Sequence, residues 1–297
     1  MRNAYFLIGF DTEVPYGSSA RTNESKSSRE DAINTIKKLN SLFDSEGINR
    51  THFILGDFLE AIDATTGRKT VNELFNWPLI DIQQHTYSHQ TFREIVTRPD
   101  KKPLTAVEIK KDIEKASSSI ARILNKSVCG LRAPLGYACG MNGESEKLDA
   151  IKETNIRYIS SDLRDKEGGI CPPLMEDGIL RQPYKYENGL IEIPSHGWQD
   201  TAFLGSKTKG VPNFPEWPRK ELECFIVEHY TKIMQDAIVL VDSKKTNIFI
   251  GGCFHPQAIS TYDPDLELFA KIIDNAKREG VKITSYSDVL NQIWRRF

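Results

Sequence analysis

Apolar runs of strand length recur along the chain, and amphipathic stretches of helix length separate them. This alternation is typical of α/β proteins in which helices cover a parallel sheet. In the stretch 28–47, for example, apolar side chains such as Ile33 and Ile36 repeat at helical spacing, and Gly47 suits a helix C-terminus. Seven parallel strands or so, with helices outside, predict a barrel, closed or incomplete. The runs predicted as strands are 4–10, 51–55, 79–84, 128–132, 156–161, 190–194 and 247–253.

The composition predicts a single domain over residues 1–297, because 39% of the residues are apolar and no break in composition marks a linker. A formal net charge of -2 gives no electrostatic reason to expect a nucleic-acid partner. No apolar run reaches the length of a membrane span, and the N-terminal stretch offers no small-residue cleavage site. The five cysteines form no CxxC pair. We therefore expect a cytoplasmic protein with reduced thiols; its oligomeric state is not predicted.

Titratable side chains follow the predicted strands at their C-terminal ends. Barrels of this type place their sites at that end of the strands. We therefore expect a functional site at this rim of the barrel. The residues in question are Asp11, Glu13, His85, Arg132, Asp162, His196 and His255.

The pair His85 and His89, four residues apart, follows the third predicted strand. On one helical turn this spacing places both rings on one face, close enough to bind a single metal ion. Asp11 and Glu13 point to the same side of an extended strand, so one can complete the metal site while the other deprotonates a water molecule. The structural alternatives are two partly exposed loop histidines, and a turn-capping acid beside a solvated one.

Three more residues complete a possible hydrolytic site. Arg132 ends the fourth strand, where its guanidinium can hold the base carboxylate in its ionised form. His255 is the candidate proton donor for a leaving group, and Asp162 is the candidate partner that fixes its tautomer. A surface arginine and a core histidine are the alternatives. His196 and Trp198 follow the sixth strand and are candidate substrate-binding residues, although Trp198 can also simply cover the barrel end.

In this order, the segments FDTE, HTYSH, RAP, SSDLRD and FHP resemble the five sequential motifs of the polysaccharide deacetylase family, the NodB-homology domain. The resemblance extends over about residues 4–290 and implies a distorted, incomplete (β/α) TIM-like barrel that binds one divalent metal ion, typically zinc. The ligands that it implies are Glu13, His85 and His89. The catalytic roles that it implies are Asp11 as base, Arg132 as the residue that holds it, the Leu135 N–H as oxyanion donor, Asp162 as the group that tunes the acid, and His255 as the acid.

The first motif departs from the common family pattern of two adjacent aspartates, because Thr12 separates Asp11 from Glu13. Branches of the family that space the two acids by one residue would use Glu13 as ligand, and an exchange of roles between Asp11 and Glu13 stays open. The resemblance implies metal-dependent removal of an N-acyl group, N-acetyl first, from a small-molecule or oligosaccharide amino sugar. The alternatives are hydrolysis of a cyclic amide, ureide or formylated sugar, or a catalytically silent carbohydrate-binding barrel.

Overall fold

The computed structural model describes residues 2–13, 23–95, 101–205 and 211–294. The strands in this part of the chain are β1 (Ala4–Leu7), β2 (Gly9–Thr12), β3 (Arg50–Ile54), β4 (Ile80–Gln84), β5 (Gly130–Ala138), β6 (Tyr158–Arg164), β7 (Met175–Glu176), β8 (Ile179–Leu180), β9 (Tyr184–Lys185), β10 (Ile191–Glu192), β11 (Ile248–Gly251) and β12 (Lys282–Thr284). The helices are α1 (Asn23–Ser45), α2 (Gly56–Phe75), α3 (Ala106–Leu124), α4 (Ser145–Lys152), α5 (Arg219–Lys244), α6 (Pro256–Tyr262), α7 (Glu267–Arg278) and α8 (Tyr286–Trp294), with short 3₁₀ helices at Asp200–Leu204 and Phe214–Glu216.

Parallel strands form the centre of the fold in the order β2-β3-β4-β5-β6-β10, and antiparallel β9 ends this sheet. A second parallel sheet has the order β11-β1-β12. Since β1 runs through Ile8 into β2, the two sheets share one continuous strand, and Asp11 N donates to Phe254 O at 2.7 Å where β2 passes the end of β11. Each of the seven predicted strand segments overlaps an observed strand. The predicted α/β barrel class is confirmed.

Hydrogen bonds of the His196 backbone and side chain connect the segment after β10 to β11, where the described strands form no ladder. His196 N donates to Gly251 O at 2.7 Å, and Gly251 N donates to His196 Nδ1 at 3.0 Å. A Cβ atom at Gly251 would lie 2.3 Å from Pro194 O, so only glycine permits this close approach. The barrel is therefore distorted at this point, as the resemblance to the deacetylase family implied.

An aromatic core fixes the two strands that lead into the rim. The ring centroids of Phe254 and Phe269 lie 4.9 Å apart, and those of Phe10 and Phe269 lie 6.0 Å apart. All three rings are buried. Asp11 directly follows Phe10, and His255 directly follows Phe254. Burial of the rings therefore orients the two polar side chains next to them.

Local capping agrees with the helices expected from the sequence. Gly47 follows α1 with a φ of 64°, and Thr105 and Glu108 form a reciprocal capping box at the start of α3. Within the described residues, no helix has both the length and the apolar character that a membrane span requires. All five cysteines are free thiols, in agreement with the expectation of reduced cysteines. The assignment of one domain to residues 1–297 stays a prediction.

Candidate metal centre and active site

Glu13, His85 and His89 converge at the rim, with one ligand atom of each lying within 4.8 Å of the others. Glu13 Oε2 is 3.2 Å from His85 Nε2 and 2.8 Å from His89 Nε2. Although this oxygen is buried, it has no hydrogen-bond partner among the described residues. A buried carboxylate oxygen facing two imidazole nitrogens is the donor set of a zinc-type site with further positions for water and substrate. The three residues therefore fit the predicted divalent ion.

The tautomer of His85 suits metal binding. Its Nδ1 lies 2.9 Å from the backbone carbonyl of Arg132 and donates to it, which leaves the lone pair of Nε2 facing Glu13. Burial alone would lower the pKa of His85, but the negative charges of Asp11 and Glu13 raise it above its usual value. Burial alone would raise the pKa of Glu13, but the charges and hydrogen bonds of His89 and His85 hold it well below its usual value.

The segment that carries the histidine pair is a loop, so the predicted helical turn is wrong. Thr86 and His89 both have positive φ angles, 65° and 57°. The Thr86 hydroxyl accepts from His89 N at 3.2 Å, and Asp112 of α3 accepts from the backbone N–H of Tyr87 at 3.0 Å. The rings meet because this loop turns back on itself, with their centroids 4.9 Å apart.

Thr12 lies on the other side of β2 from the metal centre. It is fully buried, and its hydroxyl is 3.3 Å from Phe10 O and 2.9 Å from His52 Nδ1. Because side chains alternate along a strand, Asp11 and Glu13 both face the rim while Thr12 faces the core. Thr12 therefore does not face the cluster of Glu13, His85 and His89, and the role of Glu13 as the carboxylate ligand stays a prediction.

Asp11 lies between the metal centre and two cationic groups. Its Oδ1 is 3.6 Å from Arg132 Nη1, and its Oδ2 is 3.9 Å from both His85 Nε2 and His255 Nε2. The carboxylate is buried and close to the position that an ion held by Glu13 would occupy. This is the placement that a general base for a water molecule requires.

Arg132 is held rigidly beside Asp11. Its guanidinium lies 4.5 Å from the centre of the Phe53 ring and 5.1 Å from that of Tyr286, and Nη2 donates to the Tyr286 hydroxyl at 2.8 Å. Burial disfavours its charge, but the neighbouring Asp11 raises the pKa of Arg132 above its usual value. The guanidinium is therefore a permanent positive charge next to the candidate base.

Asp200 is the partner of His255. The Asp200 Oδ1 atom lies 2.6 Å from His255 Nδ1, and Oδ2 accepts from the backbone N–H of His255 at 2.8 Å. Burial alone would lower the pKa of His255, but the charge and hydrogen bond of Asp200, with a contribution from Asp11, raise it to about 9. Sequence reasoning missed Asp200, two residues beyond Trp198; a carboxylate in the same loop as the chosen candidates was the available signal.

Asp162 does not make the contact predicted for it. Its Oδ1 accepts from Arg181 Nη2 at 3.0 Å, and its backbone N–H donates to Glu192 at 2.9 Å. The expectation that Asp162 fixes the tautomer of His255 is therefore wrong, because Asp200 occupies Nδ1. Burial raises the pKa of Asp162, while Arg181 opposes that shift. Any catalytic role of Asp162 stays a prediction.

His196 cannot offer a nitrogen to a substrate. Its Nδ1 accepts from Gly251 N, its Nε2 lies 2.9 Å from Arg181 O and donates to it, and burial lowers its pKa to about 3. Its prediction as a substrate-binding residue is wrong because both nitrogens bond to the backbone. Trp198 is half-buried and packs against Phe214, with the two ring centroids 5.3 Å apart; its contact with substrate stays a prediction.

Leu135 lies in an irregular part of β5. The register against β6 shifts between Arg132 and Tyr137, and Leu135 and Gly136 have φ angles of 67° and 60°. Such bulges re-aim the backbone next to many active sites. The role of the Leu135 N–H as an oxyanion donor stays a prediction.

Residues 30–159 match the polysaccharide deacetylase family model. The fold is similar to the crystal structure of a putative polysaccharide deacetylase from Mycobacterium smegmatis, with a TM-score of 0.66 and 13% identity over 99% of this chain and 91% of that one. It is also similar to Puue allantoinase, with a TM-score of 0.60 and 13% identity over 97% and 89% of the two chains. The matched segment supports a hydrolase of the deacetylase class. Residues 30–159 of this chain are therefore similar to the polysaccharide deacetylase family.

A curated relative is the maltose-6'-phosphate glucosidase MalH of Clostridium acetobutylicum, 25% identical over 175 residues. That alignment includes 55% of this chain and spans only 34% of the length of MalH. The family match agrees with the resemblance drawn from the five motifs, and with the expected enzyme class of a hydrolase acting on carbon–nitrogen bonds. The matched segment contains His85, His89 and Arg132, whereas the acids of β2 and His255 lie outside it.

Proposed function

We propose that the protein removes an N-acetyl group from an amino sugar or a sugar-containing precursor, with one zinc ion held by Glu13, His85 and His89. The observation that supports this is the convergence of those three side chains beside Asp11 and His255. An ion at this position supplies Lewis acidity, which polarises an amide carbonyl and lowers the pKa of a water molecule.

The protein's own groups provide the proton transfers. Asp11 accepts a proton from the attacking water, and Arg132 keeps this carboxylate in place. His255 is protonated at neutral pH, since its pKa is raised to about 9, and its Nε2 donates to the departing nitrogen. The N–H of Leu135 donates to the oxyanion that forms at the carbonyl oxygen.

A cytoplasmic location is part of the proposal. All five cysteines are free thiols, which suits a reducing compartment. A sugar precursor is a more accessible substrate there than a finished wall polymer. The similarity in fold to Puue allantoinase makes a cyclic ureide the first alternative substrate to include in a test.

The test is a substrate panel measured with matched variants. Acetate release from N-acetylated amino sugars is compared with formate release from formylated sugars and with allantoin hydrolysis. We expect His89→Ala to lose bound metal and at least about a thousandfold in turnover, because metal stabilisation is worth several kcal/mol. His229→Ala is the control, since His229 accepts from Trp198 N at 3.4 Å and has no contact with the metal centre among those described. Equal turnover by wild type and His89→Ala would contradict the proposal.

A further inference from the structure

A second set of metal-ligating atoms adjoins the metal centre. Asp11, Cys253 and His255 are all buried, and one ligand atom of each lies within 4.8 Å of the others. Cys253 Sγ is 3.5 Å from Asp11 Oδ2, which is 3.9 Å from His255 Nε2. Ligands of a tetrahedral zinc-like ion, with bonds of about 2.0–2.3 Å, lie about 3.5 Å from one another. The set can therefore close on an ion with small side-chain movements.

The orientation of each group favours coordination. Asp200 binds His255 at Nδ1 and thereby directs Nε2 towards Asp11, the carboxylate–histidine arrangement typical of metal-bound imidazoles. Asp11 Oδ2 is the oxygen that faces Cys253 and His255, while Oδ1 faces Arg132 on the other side of the carboxylate. The hydrolytic steps proposed above make no use of the Cys253 thiol, which is a soft ligand suited to Zn²⁺ and Cd²⁺.

We propose that Asp11, Cys253 and His255 form a second, weaker site for a soft divalent cation, and that its occupation stops hydrolysis. Binding replaces the thiol proton of Cys253 and the Nε2 proton of His255, both released to solvent, by bonds from sulfur and nitrogen to the ion. The second site is the weaker one because Arg132, 3.6 Å from Asp11, and an ion at the first site both repel another cation. The regulatory part rests on the proposed function, since inhibition follows from loss of base and acid; the binding part does not.

Cadmium titration tests the binding part. The parent protein carries Cys139→Ser and Cys224→Ser, which remove the two exposed thiols. We expect two bound Cd²⁺ ions per chain, with thiolate-to-cadmium absorbance developing as the second ion binds. Adding Cys253→Ser should abolish that absorbance. It should also lower the affinity for the second ion by more than about 10–100-fold, which is the typical loss when an outer-shell partner of a metal ligand is removed.

Cys171→Ser in the same parent is the matched control, because Cys171 is a half-buried thiol 3.9 Å from His229 Nε2. This control should keep both ions and the absorbance. Retention of the first ion by every variant shows that each is folded. A single ion in the parent, or absorbance that disappears with Cys171→Ser and not with Cys253→Ser, would overturn the second site.

Turnover separates the regulatory part from the proposed function. Each variant is compared at excess Cd²⁺ with its own rate at one equivalent, and we expect the inhibitory concentration to rise at least about tenfold in Cys253→Ser. Turnover that is unchanged while the second ion is bound would overturn the regulation. Binding of two ions by a protein that hydrolyses no substrate would support the second site and refute the proposed function instead.

Discussion

His85 and His196 both lie beyond the C-terminal end of a parallel strand, but their ring nitrogens bond to different partners. Each follows the C-terminal end of a parallel strand, β4 or β10, and each is 1% exposed. His85 gives one nitrogen to a backbone carbonyl and turns the other towards Glu13, whereas His196 bonds to the backbone with both. Position at the rim therefore does not determine the role of a buried histidine; the nitrogen that the backbone leaves available does.

The buried polar groups of the rim can be ranked by how directly their atoms face the candidate site. Asp11 and Glu13 direct oxygen atoms into the site. Asp200 is one step removed, because it acts through His255. Both ring nitrogens of His196 bond to the backbone. We expect the effects of substitution on turnover to decrease in this order.

Substitution of Asp11 and Glu13, the two acids at the end of β2, should have the largest effect. Glu13→Gln removes the anionic ligand and should lose the metal and at least about a thousandfold in turnover. Asp11→Asn should retain the metal and lose about 10²–10⁴-fold, the usual contribution of a general base. Elemental analysis and kcat of both purified variants check this. The opposite pattern of metal retention would exchange the two roles.

Asp200→Asn should have an intermediate effect with a distinct dependence on pH. The acid must be protonated to work, so wild-type turnover should fall as the pH rises through about 9, the raised pKa of His255. Loss of the Asp200 charge removes the main cause of that increase, and the alkaline limb should move to lower pH. The limb is read from kcat/KM profiles.

Asp162→Asn is the control for this measurement. Its carboxylate contacts Arg181, so the alkaline limb should stay at the wild-type position. If the alkaline limb of the pH profile shifted in Asp162→Asn and not in Asp200→Asn, the contact between Asp200 and His255 would not be what sets the pKa of the acid.

His196→Ala should have the smallest effect on turnover and a clear effect on stability. It leaves Gly251 N and Arg181 O without their imidazole partner, at a cost of about 1–3 kcal/mol each in the free energy of unfolding. Urea denaturation measures this loss, while metal content should stay at the wild-type level. If the folded His196→Ala variant lost metal, the distinction between His85 as a metal-site residue and His196 as a structural one would be wrong.

The sequence predicted the strands and the side of β2 that faces the site, because strand periodicity is local and places Asp11 and Glu13 together. It predicted that His85 and His89 meet but not how, since residue spacing does not reveal the positive φ angles of Thr86 and His89. Asp200 was missed because it lies in a 3₁₀ turn after a long irregular segment, where no periodic pattern indicates which side chain turns inward.

The bond between Arg132 and Tyr286 has a consequence for the order in which the site forms during synthesis. The three candidate metal ligands, and the Arg132 carbonyl that bonds to His85 Nδ1, have been made once residue 132 is added, yet β1 must wait for β11 and β12, and the Arg132 guanidinium must wait for Tyr286 of α8. Contacts between such distant parts of a chain form slowly. We expect a ribosome-bound chain to acquire the means of binding a metal ion well before it can direct that ion to hydrolysis.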